Sequence, residues 1–266
     1  MHKLMSIVFL LTISGTALAS GESKESRRLE SAAYVVNEIM HAPEQGIPRD
    51  LLDRAVCVGV VPSDVRLAFG FGASYGRGAM TCRTGGNGPW GAPSMFTIYG
   101  ANFGFQIGGK ATDIVFIVMN AGGVRKLLQT GVKLGVDASA AAGPVGRTAE
   151  GATDVQMHAE ILSYSRSRGL FAGVSLAGAM LKPDYGGNFQ LYRHVYEPKQ
   201  ILIDGVVAPP AEAKQLNDTL AQYSPRGGEA FPKAIAVENP KPAAIPTAPA
   251  QVPDAPKSAI VHPSGP

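Results

Sequence analysis

The chain has 266 residues, with 24 lysines and arginines against 21 aspartates and glutamates, for a formal net charge of +3. That near-balance argues against bulk nucleic-acid binding, which leaves a strong basic footprint, but it leaves room for a local basic face toward an anionic surface. Hydrophobic residues make up 45%, enough for one well-buried domain once the two ends are set aside.

The first end is Met1-His2-Lys3, an apolar run from Leu4 to Ile13, and Ala17-Leu18-Ala19. A basic start, an apolar stretch of about ten residues and a small-x-small site make a secretory signal, expected over 1–19 with cleavage after Ala19. The run is short for a retained membrane span. The expected location is therefore periplasmic or secreted, with peripheral attachment to membrane.

Glu22 to Met40 reads as a helix, because Leu29, Ala33, Val36 and Met40 recur at three- and four-residue steps along one face. Lys24, Arg27 and Arg28 lie in its first part. Pro48 opens a second short helix, Arg49 to Arg54. Val56 to Val61 reads as a buried strand ended by Pro62. From Leu67 to Gly78 glycine then alternates with bulky residues, a period of two that marks a strand. One face of it carries Leu67, Phe69, Phe71 and Tyr75, and the other is nearly bare backbone. Repeated glycine on one strand face signals close approach of another element or sharp curvature. Ala79 to Arg83 continues or returns the strand, and Thr84 to Pro93 is a loop holding Trp90.

Met95 to Tyr99 and Asn102 to Gly108 read as strand with an interruption at Gly100, followed by an apolar strand from Thr112 to Met119 and a short helix from Val124 to Gln129. Val132 to Ala142 alternates, and 143–147 is a turn. Val155 to Tyr164 alternates and is assigned to strand, as is Gly169 to Leu181. Pro183 to Asn188 reads as loop and Pro210 to Tyr223 as a last helix with Leu216 and Leu220 inward. From Ser224 the composition turns to Pro, Ala and Lys, the signature of a disordered tail over 224–266 that serves as a plain tail or as a docking arm for an envelope protein.

Many strands with few intervening helices predict an α+β fold. It is antiparallel-rich, with a strongly curved or partly closed sheet of glycine-rich strands covered by a few short helices. An outer-membrane barrel fits less well, because the continuous apolar run from Thr112 to Met119 lacks its alternation. Cys57 and Cys82 both lie on predicted strands. An oxidising compartment permits a bridge between them, and two buried thiols are the alternative. Two cysteines and scattered histidines give no metal-ligand spacing.

Two enzyme-like strings fail on context. Gly104 to Lys110 nearly spells a phosphate-binding loop, but Ala111 stands where the magnesium-binding hydroxyl belongs and a β-like segment follows where a helix must start. Gly72-Ala73-Ser74-Tyr75-Gly76 matches a hydrolase nucleophile motif but runs through a strand, not a strand-to-helix turn. His158 with Asp154 would be its base and orienter, and His194 forms no recognisable dyad.

The ordered set Val60-Val61-Pro62, Phe69-Gly70-Phe71-Gly72, Tyr75-Gly76-Arg77-Gly78, Trp90 with Ala92-Pro93-Ser94, and Phe103 to Gly108 with Thr112-Asp113 resembles the SYLF-domain family. Gly143 to Arg147, Tyr164 to Gly173, and Asn188 with Tyr192 extend the similarity, which runs from about Ser31 to Tyr223. The resemblance implies a lipid-binding domain over 20–223 with no catalytic activity and no cofactor. Eukaryotic relatives bind phosphoinositides, couple to membranes and actin, and contact membrane partly through an N-terminal amphipathic helix, here Glu22 to Met40. A signal peptide and no appended recruitment domain turn the expectation from actin and phosphoinositides toward phosphatidylglycerol or cardiolipin.

The expected function is a non-catalytic exported protein that meets anionic phospholipid headgroups through that helix and basic turns. The candidate contacts are Lys24, Arg27, Arg28, Arg77, Lys110, Arg125, Lys126, Arg147, Arg166 and Arg168. Each contributes about 1 kcal/mol near an anionic surface, so several must act together. The competing readings are an envelope interaction module, a hydrolase centred on Ser74, and arginines that merely bridge the fold.

Overall fold

A computed structural model describes residues 22–42, 44, 46–146, 153–167 and 170–224, of which 64–72, 101–110 and 167 are described by backbone alone. The expected signal segment 1–19 and the tail from 225 onward lie outside the described residues.

The first helix, α1 (Lys24–Met40), starts where Ser23 accepts the Ser26 N–H at 2.9 Å. Its apolar face is used internally: Leu29, Ala32, Ala33, Val35, Val36 and Ile39 are all buried. After α2 (Arg49–Arg54), β1 (Cys57–Cys82) and β2 (Ser94–Val118) form one antiparallel ribbon of strands 26 and 25 residues long. This corrects several sequence boundaries. Pro62 does not end the first strand, because a bulge between Val61 and Asp64 absorbs it, with Ser63 at a φ of 58°. Gly100 does not interrupt the second: it pairs with Ser74, and the irregularity lies instead between the Phe69–Ile107 and Phe71–Phe103 pairs.

A straight strand of this length would span roughly 80 Å. Yet the Cα atoms of Cys57 and Cys82, at its two ends, are 4.0 Å apart and the residues form a disulfide. The ribbon therefore bends back on itself, as the irregularities at Val61–Asp64 and Phe69–Phe71 allow. Two glycines let it close. A Cβ on Gly59 would strike the Phe116 ring, and one on Gly78 would strike the Phe96 ring and the Val60 carbonyl oxygen. Those two phenylalanines meet edge to face inside the fold, 5.4 Å between centroids. Each stands directly opposite its glycine across the ribbon; Gly78 belongs to the alternating stretch, whose bare backbone there makes room for a ring, whereas Gly59 lies in the apolar run before it.

The remaining elements complete a seven-stranded sheet in the order β3-β7-β2-β5-β4, with β1 on β2 and β6 on β5. They are α3 (Ala121–Leu127), β3 (Val132–Lys133), β4 (Ala140–Ala142), α4 (Asp154–His158), β5 (Ile161–Ser167), β6 (Leu170–Gly173), β7 (Met180–Pro183), α5 (Tyr185–Tyr192), α6 (Pro198–Leu202) and α7 (Lys214–Tyr223). Among the described residues every strand pair is antiparallel except β4 with β5. The α+β class with a strongly curled sheet is as expected.

Four local assignments differ from the sequence reading. Residues 154–158 are helical because Thr153 and Gln156 form a capping box, and Val155 and Met157 point to solvent instead of alternating across a sheet. Residues 132–142 and 169–181 are each broken by tight turns, with Gly135 at φ 80° and Gly178 at φ 87°. The segment read as loop over 183–188 opens α5, where Asp184 accepts the Gly187 N–H at 2.9 Å. Asn188 then reaches back to β2, accepting the Met95 N–H at 2.6 Å and donating to Ser94 Oγ at 3.1 Å.

Arg83, 1% exposed, locks the ends of the ribbon together. Its guanidinium lies over the Trp90 ring at 4.0 Å and donates to Ala55 O, Gly88 O, Ser224 O and Ser224 Oγ. Burial pulls its pKa down to about 10, so it stays charged at neutral pH. Ser224, where the tail was expected to begin, is thereby buried in the folded unit.

Candidate functional site

The enzyme-like strings sit in regular strand. Ser74 lies within β1 opposite Gly100, and 104–111 lies within β2. His158 Nδ1 is within 2.8 Å of the Asp154 backbone carbonyl, four residues back on α4, and not of its carboxylate. Among the described residues no three His, Cys, Asp or Glu side chains gather to hold a metal, and no helix is long and apolar enough to cross a membrane.

The predicted basic residues divide into several groups. Arg28 and Arg77, from α1 and β1, converge on Asp184 at the start of α5. Arg77 donates to its Oδ2 through Nη2 at 2.6 Å and Nε at 3.1 Å, and Arg28 Nη1 stands 3.7 Å away. Burial, reinforced by the Arg77 charge, pulls the Arg28 pKa down against the pull of Asp184 and Glu25. The hydrogen bond to Asp184 holds that of Arg77 above its ordinary value. Arg166 instead binds Asp113 at 2.6 Å and Glu38 at 3.3 Å, its guanidinium 5.4 Å from the Tyr34 ring centre and 5.7 Å from that of Phe171. Burial opposes its charge, but Asp113 and Tyr34 together outweigh it and the pKa rises.

Lys126 pairs with Glu160 at 2.7 Å. Lys24, Arg27 and Arg125 are exposed and enter no ion pair among the described residues. Arg147, Arg168 and the Lys110 side chain lie outside what is described. The arginines with the best partners thus brace α1 and α5 against the sheet, and the open cations of the predicted set, Lys24, Arg27 and Arg125, are on helix surfaces.

The sheet adds residues that the sequence reading did not single out. Register pairs Tyr75 with Tyr99, Tyr99 with Met180, and Met180 with Lys133, a row across β1, β2, β7 and β3. The two tyrosine rings lie 5.3 Å apart, and Lys182 Nζ stands 5.9 Å from the Tyr99 centroid. Tyr75 was legible as part of an apolar strand face, but Met180 and Lys133 belong to strands too short to show a period. A separate open cleft of about 690 Å³ between α1 and α7 is polar and largely acidic, lined by Glu22, Glu30, Glu212 and Asp218 beside Lys214.

Comparison with known proteins agrees with the resemblance in the motifs. The family described as "Ysc84: Las17-binding protein actin regulator" matches residues 99–223, from β2 through α7. LAS seventeen-binding protein 3 of Saccharomyces cerevisiae is 33% identical over 193 residues, 71% of this chain and 41% of the relative. SH3 domain-containing YSC84-like protein 1 of Rattus norvegicus is 32% identical over 218 residues, 80% of this chain and 63% of the relative. The same-named protein of Xenopus laevis is 32% identical over 213 residues. The chain spans about two fifths of the length of the yeast relative. The domain described above belongs to the Ysc84, or SYLF-domain, family.

Proposed function

We propose that this protein is a non-catalytic, exported module that associates peripherally with anionic phospholipid headgroups. The observation that carries the reading is the division of its cations. Arg28, Arg77, Arg166 and Lys126 are spent on carboxylates inside the fold, while Lys24, Arg27 and Arg125 remain exposed and unpaired among the described residues. Open lysines and arginines on a folded surface give attraction of about 1 kcal/mol each to an anionic leaflet.

The buried apolar stripe of α1 changes how the helix takes part. Its outer, charged side meets the surface, and its apolar side stays in the domain. The test is co-sedimentation with phosphatidylglycerol vesicles of a Lys24→Glu, Arg27→Glu, Arg125→Glu variant. The reading expects about a tenfold loss of binding or more from reversing these charges, and undiminished binding contradicts it. Export is tested separately by mass spectrometry of the mature N-terminus, expected at Ser20.

A second reading rests on the relatives. Those named Las17-binding proteins take a protein partner by name, and a protein-docking role for this domain would show as a pull-down that survives removal of lipid.

A further inference from the structure

We propose that the uncovered sheet face bearing Tyr75, Tyr99 and Met180 is the apolar seat by which the domain rests on an anionic bilayer. The proposal builds on the lipid-binding reading above and assigns the surface that reading leaves open. Residues two apart on a strand share a face, so Arg77 and Tyr75, Thr97 and Tyr99, and Lys182 and Met180 stand on one side of the sheet in successive register rows.

The helices cover only part of that side. The Ala79–Met95 row is fully buried, with α5 bonded to it through Asn188. The Arg77–Thr97–Lys182 row is the border, where Asp184 and Arg28 close the edge of the helical cover. The next row is open: Tyr75 is 45% exposed, Tyr99 42% and Met180 36%, ending at exposed Lys133. Single exposed apolar residues are ordinary on a protein surface, but three in direct cross-strand register form one contiguous patch.

The chemistry of the patch fits a bilayer interface. A tyrosine sets an apolar ring against acyl chains and keeps its hydroxyl among headgroups. The flexible methionine side chain adapts to an irregular apolar surface. Lys133 and Lys182 flank the row with no carboxylate partner among the described residues, so their charge is open to lipid phosphate. Two acids beside these strands are otherwise engaged: Asp184 holds Arg77 and Arg28, and Asp137 accepts the Lys133 backbone N–H at 2.7 Å. The same edge continues through Arg28 into the first turns of α1, where Lys24 and Arg27 are exposed. An apolar, hydroxyl-tipped row with open lysines beside its Met180 end is complementary to an anionic leaflet.

The experiment uses the full chain with its disulfide intact and vesicles of equimolar phosphatidylglycerol and phosphatidylcholine. The double variant Tyr75→Ser, Tyr99→Ser is expected to bind about tenfold more weakly than wild type. Tyr99→Trp places a depth reporter at the seat with little change of shape, against a Trp90 background that is itself buried. Its emission is expected to shift to the blue on vesicles and to be quenched by lipids brominated along the acyl chain. Wild-type binding with no quenching of the Tyr99→Trp reporter overturns the seat and leaves the lipid-binding reading standing. Absence of wild-type binding at low salt overturns both. Capture of a protein by this face without vesicles, abolished by Tyr99→Ser, replaces the bilayer with a protein partner and also overturns the seat.

Discussion

At the scale of single residues, the arginines show how one charge serves structure and another remains for the outside. Arg83 has no carboxylate partner among the described residues, and its hydrogen bonds go to carbonyls and a hydroxyl. Truncation would leave those acceptors buried without a donor and remove the lid from Trp90. Arg83→Ala is therefore expected to cost about 3–5 kcal/mol in urea unfolding, and a loss below about 1 kcal/mol contradicts the locking role. Glu160 gives a pH test. Burial pushes its carboxyl up, but Lys126 and the Ser139 N–H push it further down, leaving it below its ordinary value. A folded pKa lower than the unfolded one contributes stability above the unfolded value, about 4.3, and loses it as pH falls through the folded value. The stability gap between wild type and Glu160→Gln should be open at neutral pH and narrow below about 4.3. A gap that stays constant into acid shows that the Lys126–Glu160 pair contributes no linkage.

At the scale of elements, the ribbon depends on glycine where strands approach, and this was the most legible feature in the sequence. Alternation over 67–78 announced a strand with a bare face, and Gly78 sits against the Val60 carbonyl and the Phe96 ring. Gly78→Ala should cost about 1–3 kcal/mol by overpacking, read from urea melts. A neutral result there removes the close-packing account. The first and last helices were equally legible, because their apolar steps match the buried sets Leu29, Val36, Met40 and Leu216, Leu220. Short elements were not. Residues 154–158 alternate like a strand, but a capping box, a local side-chain exchange, overrides the pattern. The helix at 185–192 hid behind Gly186 and Gly187, the second of which brings α5 down onto Met95. Both cysteines were placed on strands, yet their pairing depends on β1 folding back, a long-range fact that no local period carries. Replacing both with serine should cost about 3 kcal/mol through lost loop closure, measured as a lower urea midpoint for the double variant.

At the scale of the whole molecule, a curled sheet is sealed on part of one side by α1, α5 and α7, and the Tyr75–Tyr99–Met180 row of that side is exposed. The chemistry of the open part was only half readable. The basic residues were visible as a set, but composition says nothing about which of them meet Asp184, Asp113 or Glu160 and which remain exposed. The Tyr75–Tyr99–Met180 row is a product of register between strands far apart in the chain, two of them only two and four residues long. The family match adds that the domain is shared with longer proteins, so what this chain does with it depends on which surfaces are exposed.

The decisive measurement is a salt titration of the disulfide-bonded full chain against phosphatidylglycerol and phosphatidylcholine vesicles in parallel, followed by flotation. A cation-driven peripheral contact predicts binding that requires phosphatidylglycerol and weakens steadily as the Debye length shrinks from about 30 Å toward about 8 Å. Equal association with both lipids, or none with phosphatidylglycerol at the lowest salt, contradicts it.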